Sequence, residues 1–281
     1  MAVTIIKSDA EFRKLIPNVL ATAEGETSFF DKLSPFLETA SEWIEENFAE
    51  ANIIYNQVNV SGEPQELVKR LAAYHAFLLA IPSLDLVLTP NGFGIINNSN
   101  VAPASKERIE RLMAIFEKQR DDTIELYLKY TNMYNSQWTS TRQGRYFTAT
   151  LFPNITLCDR CGITEHRWER YKQFREQLVL IETKHANEFF SPEQMATIRR
   201  QIPYWVFDKP NTLQTQVIEA IRNLEVSLLT GLQPHPQQFR DIVNIMRNSP
   251  NYFSDWANSD TAKLFAPELF INKKSSAGYW F

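Results

Sequence analysis

Apolar residues recur every three or four positions along most of the chain, the spacing of helices that bury one face. Phe12, Leu15, Ile16 and Val19 form a first short stripe, opened by Ser8 or Asp9 as cap and met by Pro17. Phe29, Phe30, Leu33, Leu37, Ala40, Trp43, Ile44 and Phe48 form a longer one, with Pro35 as a point of kink or restart. Glu38, Glu42, Glu45, Glu46 and Glu50 fall largely off that stripe. The plain reading is a solvated face and the sharper one a channel lining. After Gly62-Glu63-Pro64, the run Leu67, Val68, Leu71, Ala72, His75, Leu78 and Leu79 is apolar on most sides. It predicts a core helix in which His75 is a hydrogen-bonded core histidine rather than a ligand. Pro103 and Ser105 launch a helix to about residue 134, on the order of 45 Å long at ~1.5 Å per residue. Its stripe is Ile109, Leu112, Met113, Phe116, then Ile124, Tyr127, Leu128, Tyr130. Charge at 118–122 interrupts it, with Asp121 and Asp122 placed toward solvent.

Between these two long helices the period changes. Leu84, Leu86 and Leu88 alternate with Asp85, Val87 and Thr89, and Phe93-Gly94-Ile95-Ile96 follows a Pro90-Asn91-Gly92 turn. Residues 84–97 therefore predict a β-hairpin, a tongue needing a surface to lie on. Phe93 and Ile95 are expected at least half buried, in their own subunit or against the next. Residues 53–60, short and β-branched, read as an edge strand, and 146–151 as a strand. Further helices carry Trp168, Tyr171, Phe174, Leu178 and Ile181; start at Ser191-Pro192; start again near Thr212; and run over 236–246. Residues 269–281 read as a second hairpin, which ends the chain on Tyr279, Trp280 and Phe281. Three terminal aromatics forgo a sizeable hydrophobic gain in water, so they are expected at a groove or subunit boundary. The fold class predicted is mainly α: a helical bundle with long helices and one or two short β-hairpins. The organisation expected is a helical unit over 1–135, a junction over 136–160 and a second helical region over 161–281.

Composition changes this picture little. With 44% hydrophobic and 22% charged residues the chain is ordinarily globular. Net charge is −4, yet residues 1–66 hold twelve acidic and four basic side chains, a balance of −8, leaving +4 for the rest. An acidic chain is a poor coat for nucleic acid, because phosphate neutralisation dominates that affinity. No signal peptide or run of ~18 apolar residues is read, so no membrane is expected. Two cysteines make no disulfide framework.

The stretch IPSLDLVLTPNGFGI, its asparagine-rich loop and APASKER opening the next helix resemble the head–tail connector (neck adaptor) proteins of tailed bacteriophages, especially those of gut-bacterial, crAss-like phages. The resemblance covers about residues 60–135. It implies a mostly helical subunit forming a homo-oligomeric ring of about twelve copies below the portal. The implied partners are portal and tail proteins, with DNA passing through the lumen without sequence-specific binding. The implied place is the head–tail junction of the virion, after synthesis in the host cytoplasm.

Catalytic chemistry is thinly represented. Gly92-Phe93-Gly94 lacks the third glycine of a dinucleotide fingerprint and any following Gly-Lys-Ser/Thr. Cys158-Asp159-Arg160-Cys161 has the spacing of a redox or zinc motif. Without βαβ flanks the redox reading is weak, and zinc would need His166 and a distant fourth ligand such as His185. Incidental packing cysteines are the plainer reading. No catalytic residue, metal ligand or cofactor is assigned, and an enzyme is not expected. The leading expectation is a structural connector. The alternatives are a soluble helical binding or regulatory protein and, behind it, a zinc-binding protein centred on Cys158 and Cys161.

Overall fold

The computed structural model describes residues 3–16, 28–59, 62–84, 86–89, 92–95, 105–205 and 212–266. The fold is mainly α, with thirteen α-helices among the described residues. The first five are α1 (Asp9–Leu15), α2 (Phe29–Asn47), α3 (Ala51–Asn59), α4 (Glu63–Leu84) and α5 (Lys106–Tyr134). After them come α6 (Arg142–Thr148), α7 (Thr156–Arg160), α8 (Arg167–His185) and α9 (Pro192–Trp205). The last four are α10 (Leu213–Leu229), α11 (Pro236–Asn248), α12 (Ser254–Ala257) and α13 (Asp260–Lys263).

Hydroxyl caps set many of the starts. The side chains of Ser8, Ser28, Ser105 and Thr212 accept from the amides of Glu11, Asp31, Arg108 and Thr215. Each satisfies one of the orphan donors of a first helical turn. Pro35 neither breaks nor restarts α2, which runs continuously through it.

α4 is the centre of the first part, packed along both α2 and α5. Its Leu67, Val68, Leu71, Ala72, Ala73, Ala76, Phe77, Ala80 and Ile81 are buried. By length and composition alone it is a helix able to cross a membrane, but half of its apolar window is buried inside the protein.

Leu86–Thr89 and Gly92–Ile95 lie antiparallel, Leu86 opposite Ile95 and Leu88 opposite Phe93. Pro90, Asn91 and the side chains of 85–104 lie outside the described residues. So do residues 267–281, with the hairpin expected there and Tyr279, Trp280 and Phe281.

Two expected strands are helices. Residues 51–59 form α3, because Ile53, Ile54, Gln57 and Val58 recur at helical rather than alternating spacing and bury one face. Gln57 survives there because its Oε1 accepts from the Tyr127 hydroxyl at 3.0 Å. Residues 142–148 form α6 instead of a strand. Thr141 Oγ1 caps it by accepting from Gly144 N at 3.0 Å.

The stretch between α5 and α8 is packed into the interior. A 3₁₀ turn at Trp138–Ser140 buries Trp138 completely, and its Nε1 donates to the Phe48 carbonyl at 2.5 Å. Phe147 stacks on Phe48, Trp138 and Tyr171, while Trp168 lies 4.8 Å from Phe48. Aromatic rings from α2, α6 and α8 thus meet as one buried block, and the buried apolar residues form one cluster from Ile5 to Trp256.

Candidate functional site

Two networks of buried charge join the helices. The first ties α5 to the start of α8. Arg120 donates from Nε and Nη2 to Asp121 Oδ1, at 2.9 and 2.8 Å, and its Nη2 lies 3.3 Å from Glu169 and 3.6 Å from Glu117. Asp121 Oδ2 accepts from Trp168 N at 3.3 Å, so a carboxylate on α5 serves the first turn of α8. The residue preceding that turn, His166, makes no side-chain cap and sits at φ 50°. Arg167 reaches Asp122, Glu125 and Asp159 at 2.9, 2.6 and 2.9 Å. Burial raises the Asp121 carboxyl against the pull of Arg120, and the Glu117 hydrogen bond raises His166.

The expectation that Asp121 and Asp122 face solvent is therefore wrong for Asp121, which is 1% exposed, and Arg120 beside it is 6% exposed. The spacing held the clue. Arg120 lies four residues after Phe116 and four before Ile124, on the buried stripe itself. Glu117, His166 and Glu169 place one oxygen or nitrogen each within 4.8 Å of the others. The Arg120 guanidinium already supplies a positive charge against both carboxylates, so the trio reads as an ion-pair network.

The second network joins α8, α9 and α10. Glu182 is 1% exposed; its Oε1 accepts from Leu151 N at 2.6 Å and its Oε2 from Arg199 Nε at 2.9 Å. Glu225 is fully buried, and neither carboxyl oxygen has a hydrogen-bond partner. Burial and the neighbouring Glu182 drive the Glu225 carboxyl far up, and burial pushes Glu182 up to about 7. Arg222 is turned away, donating from Nε and Nη2 to the Leu151 carbonyl at 3.0 and 2.7 Å. A buried carboxyl with no donor is held as the neutral acid.

Beside this network, a cleft of about 860 Å³ opens between the end of α5, the 135–149 stretch and α9. Asn132, Tyr134, Thr139, Thr148, Arg199 and Arg200 line it.

The residues singled out in the sequence are not gathered into one centre. Cys158 is buried in α7, its thiol donating to the Arg167 carbonyl at 3.2 Å, and burial pushes that thiol up to about 12. His166 turns to Glu117 at 2.7 Å. His185 packs among Phe189, Phe190 and Phe239. Among the described residues these cysteines and histidines make no common ligand set. His75 is a stacked rather than a hydrogen-bonded histidine at Nδ1, which has no partner; its ring lies on Trp43 at 3.8 Å. Gly92 opens the second strand, and Phe93 and Ile95 lie within it, their side chains outside the described residues.

Residues 16–148 match a sequence family described as a family of unknown function, DUF6712. The matched stretch is a little under half of the chain and ends with the last residue of α6. It therefore contains Arg120 and Asp121 but not their α8 partners Glu169 and Trp168. No curated protein and no solved structure matches the chain.

Proposed function

We propose that this chain is a structural virion protein, a head–tail connector that forms a ring between portal and tail. The observation that supports this best is on α5. Leu112, Ile115 and Leu126 are 39%, 46% and 46% exposed. At about 100° per residue they fall within roughly 60° of helix arc, with exposed Gln119 between them. Ile109, Met113, Phe116 and Ile124 occupy the neighbouring arc and pack inward. A long helix thus carries an outward apolar stripe along several turns, the kind of surface a neighbouring subunit covers. The tongue read over 84–97 follows α4 and precedes α5 in the chain, and its Phe93 and Ile95 would meet that neighbour. Glu38, Glu42 and Glu46, exposed on α2 at four-residue spacing, give a negative face that would let DNA slide rather than stick. About twelve copies, a portal above, a tail below, and no cofactor or membrane belong to the same reading.

Sedimentation and electron microscopy of purified protein and of virions test it. Rings are expected from the wild type, and Leu112→Glu with Ile115→Glu should leave folded monomers with an unchanged melt. A wild-type chain that stays monomeric and is absent from virions would overturn the reading.

A further inference from the structure

The cleft between α5, the 135–149 stretch and α9 has the composition of a ligand site. Its volume of about 860 Å³ lies in the range that holds a drug-sized molecule. Arg199 and Arg200 both line it, and no carboxylate does among the described residues. Arg199 is fixed through Nε to buried Glu182, and its two Nη atoms donate to nothing among the described residues. Arg200 is exposed, with one Nη atom on Thr197 at 2.9 Å. Tyr134 is 68% exposed, steadied on one side by Tyr130 with ring centroids 4.8 Å apart. Asn132, only 9% exposed, lines the same cleft with an Oδ1 that receives no hydrogen bond. That oxygen is itself closed to solvent, so a molecule in the cleft does not reach it as the cleft stands.

We propose that this cleft binds a phosphate-bearing aromatic ligand of nucleotide type. The phosphate lies against Arg199 and Arg200, and the ring stacks on Tyr134. Guanidinium forks match phosphate oxygens geometrically, and aromatic faces accept any base. The ligand is either a free nucleotide or part of a nucleic acid, and the two share this chemistry. The proposal does not depend on ring formation.

Isothermal titration of the full chain with AMP, adenosine, inorganic phosphate and a short single-stranded oligodeoxynucleotide tests it. AMP is expected to bind at one site with a Kd below ~1 mM, and adenosine and phosphate each about tenfold or more weaker. Arg200→Ala and Tyr134→Ala alter exposed side chains, so each should weaken AMP about fivefold or more without changing the thermal melt. Tighter binding of the oligonucleotide, with the same losses in both variants, would support the proposal with nucleic acid as the source. Binding of AMP alone would support it with a free nucleotide. No AMP binding, binding indifferent to both substitutions, or adenosine binding as tightly as AMP would overturn it.

Discussion

The indole of Trp43 lies flat on the imidazole of His75, ring centroids 3.8 Å apart and planes 15° from parallel. Burial first, then the positive charges of Arg120 and Lys172, lower His75 to about 3. Its Nδ1 has no partner, so the neutral ring is the one the fold accommodates. A histidine depressed in the folded state contributes fully above its unfolded value near 6.5, and the contribution is lost as pH falls toward 3. Between pH 6.5 and 4.5 the loss attributable to His75 should be roughly 2–3 kcal/mol. His75→Phe keeps an aromatic ring on Trp43 and removes the titration. Denaturant unfolding across this range should show a shallower acid decline in His75→Phe than in wild type. Parallel pH profiles would mean that His75 is not the titrating group.

Glu225 gives the opposite slope. Its folded carboxyl is raised, so its contribution is greatest below the unfolded value near 4.5 and declines as pH rises. Glu182, raised to about 7, declines over the same window. Glu225→Met fills similar volume without a charge. It should raise stability at pH 8 by about 1–3 kcal/mol, since the unfolded carboxyl ionises there while the buried one stays neutral and unpartnered. At pH 5, where keeping that acid neutral costs little, the two proteins should differ less. Thermal melts at pH 5 and pH 8 check both effects; a destabilised variant at pH 8 would show that Glu225 has a partner after all.

Helix starts were legible where a hydroxyl cap preceded an apolar stripe, as at Ser8, Ser105 and Thr212. Short segments were not. Over 53–58 and 146–151 the β-branched and aromatic content outweighed a period too brief to read, and tertiary packing decided for helix. The buried charges were hidden for another reason. Arg120, Glu182 and Glu225 sit on inward stripes, next to Phe116 and Ile124, Leu178 and His185, Ile221 and Leu229. Sequence reading puts Asp121, beside Arg120, toward solvent, and gives Arg120, Glu182 and Glu225 no place at all. Glu182 meets Leu151 N 31 residues away, Arg120 reaches Glu169 49 residues on, and no local pattern announces either pairing. The cleft was missed outright, because Asn132, Thr148 and Arg200 share no motif.

Cys158 should behave as a packing residue. Its thiol is buried, hydrogen-bonded to the Arg167 carbonyl and raised to about 12, so little thiolate forms near neutrality. In the folded protein it should react with a disulfide reagent about 100-fold more slowly than in denaturant. A strong chelator should leave the melting temperature within about 1 °C of its original value. A marked drop on chelation would restore a metal at Cys158 and Cys161.

Gly144 separates helix propensity from packing. In a helix interior, glycine to alanine ordinarily stabilises by up to about 1 kcal/mol. α6, however, lies so close to the 3₁₀ turn before it that a Cβ on Gly144 would stand 1.9 Å from the Trp138 carbonyl oxygen and 2.8 Å from Thr139 Cα. Both are backbone atoms and neither can rotate aside. The turn cannot retreat without moving Trp138, whose ring is buried against Phe147 and whose Nε1 is bonded to Phe48. Gly144→Ala should therefore destabilise by about 3 kcal/mol or more, the cost of forcing backbone apart in a packed interior. Ser140→Ala, at an exposed position of the same turn, serves as the control and should lie within about 0.5 kcal/mol of wild type. Urea denaturation of the three proteins decides the matter. A Gly144→Ala protein as stable as wild type would mean that α6 does not rest on the Trp138 turn.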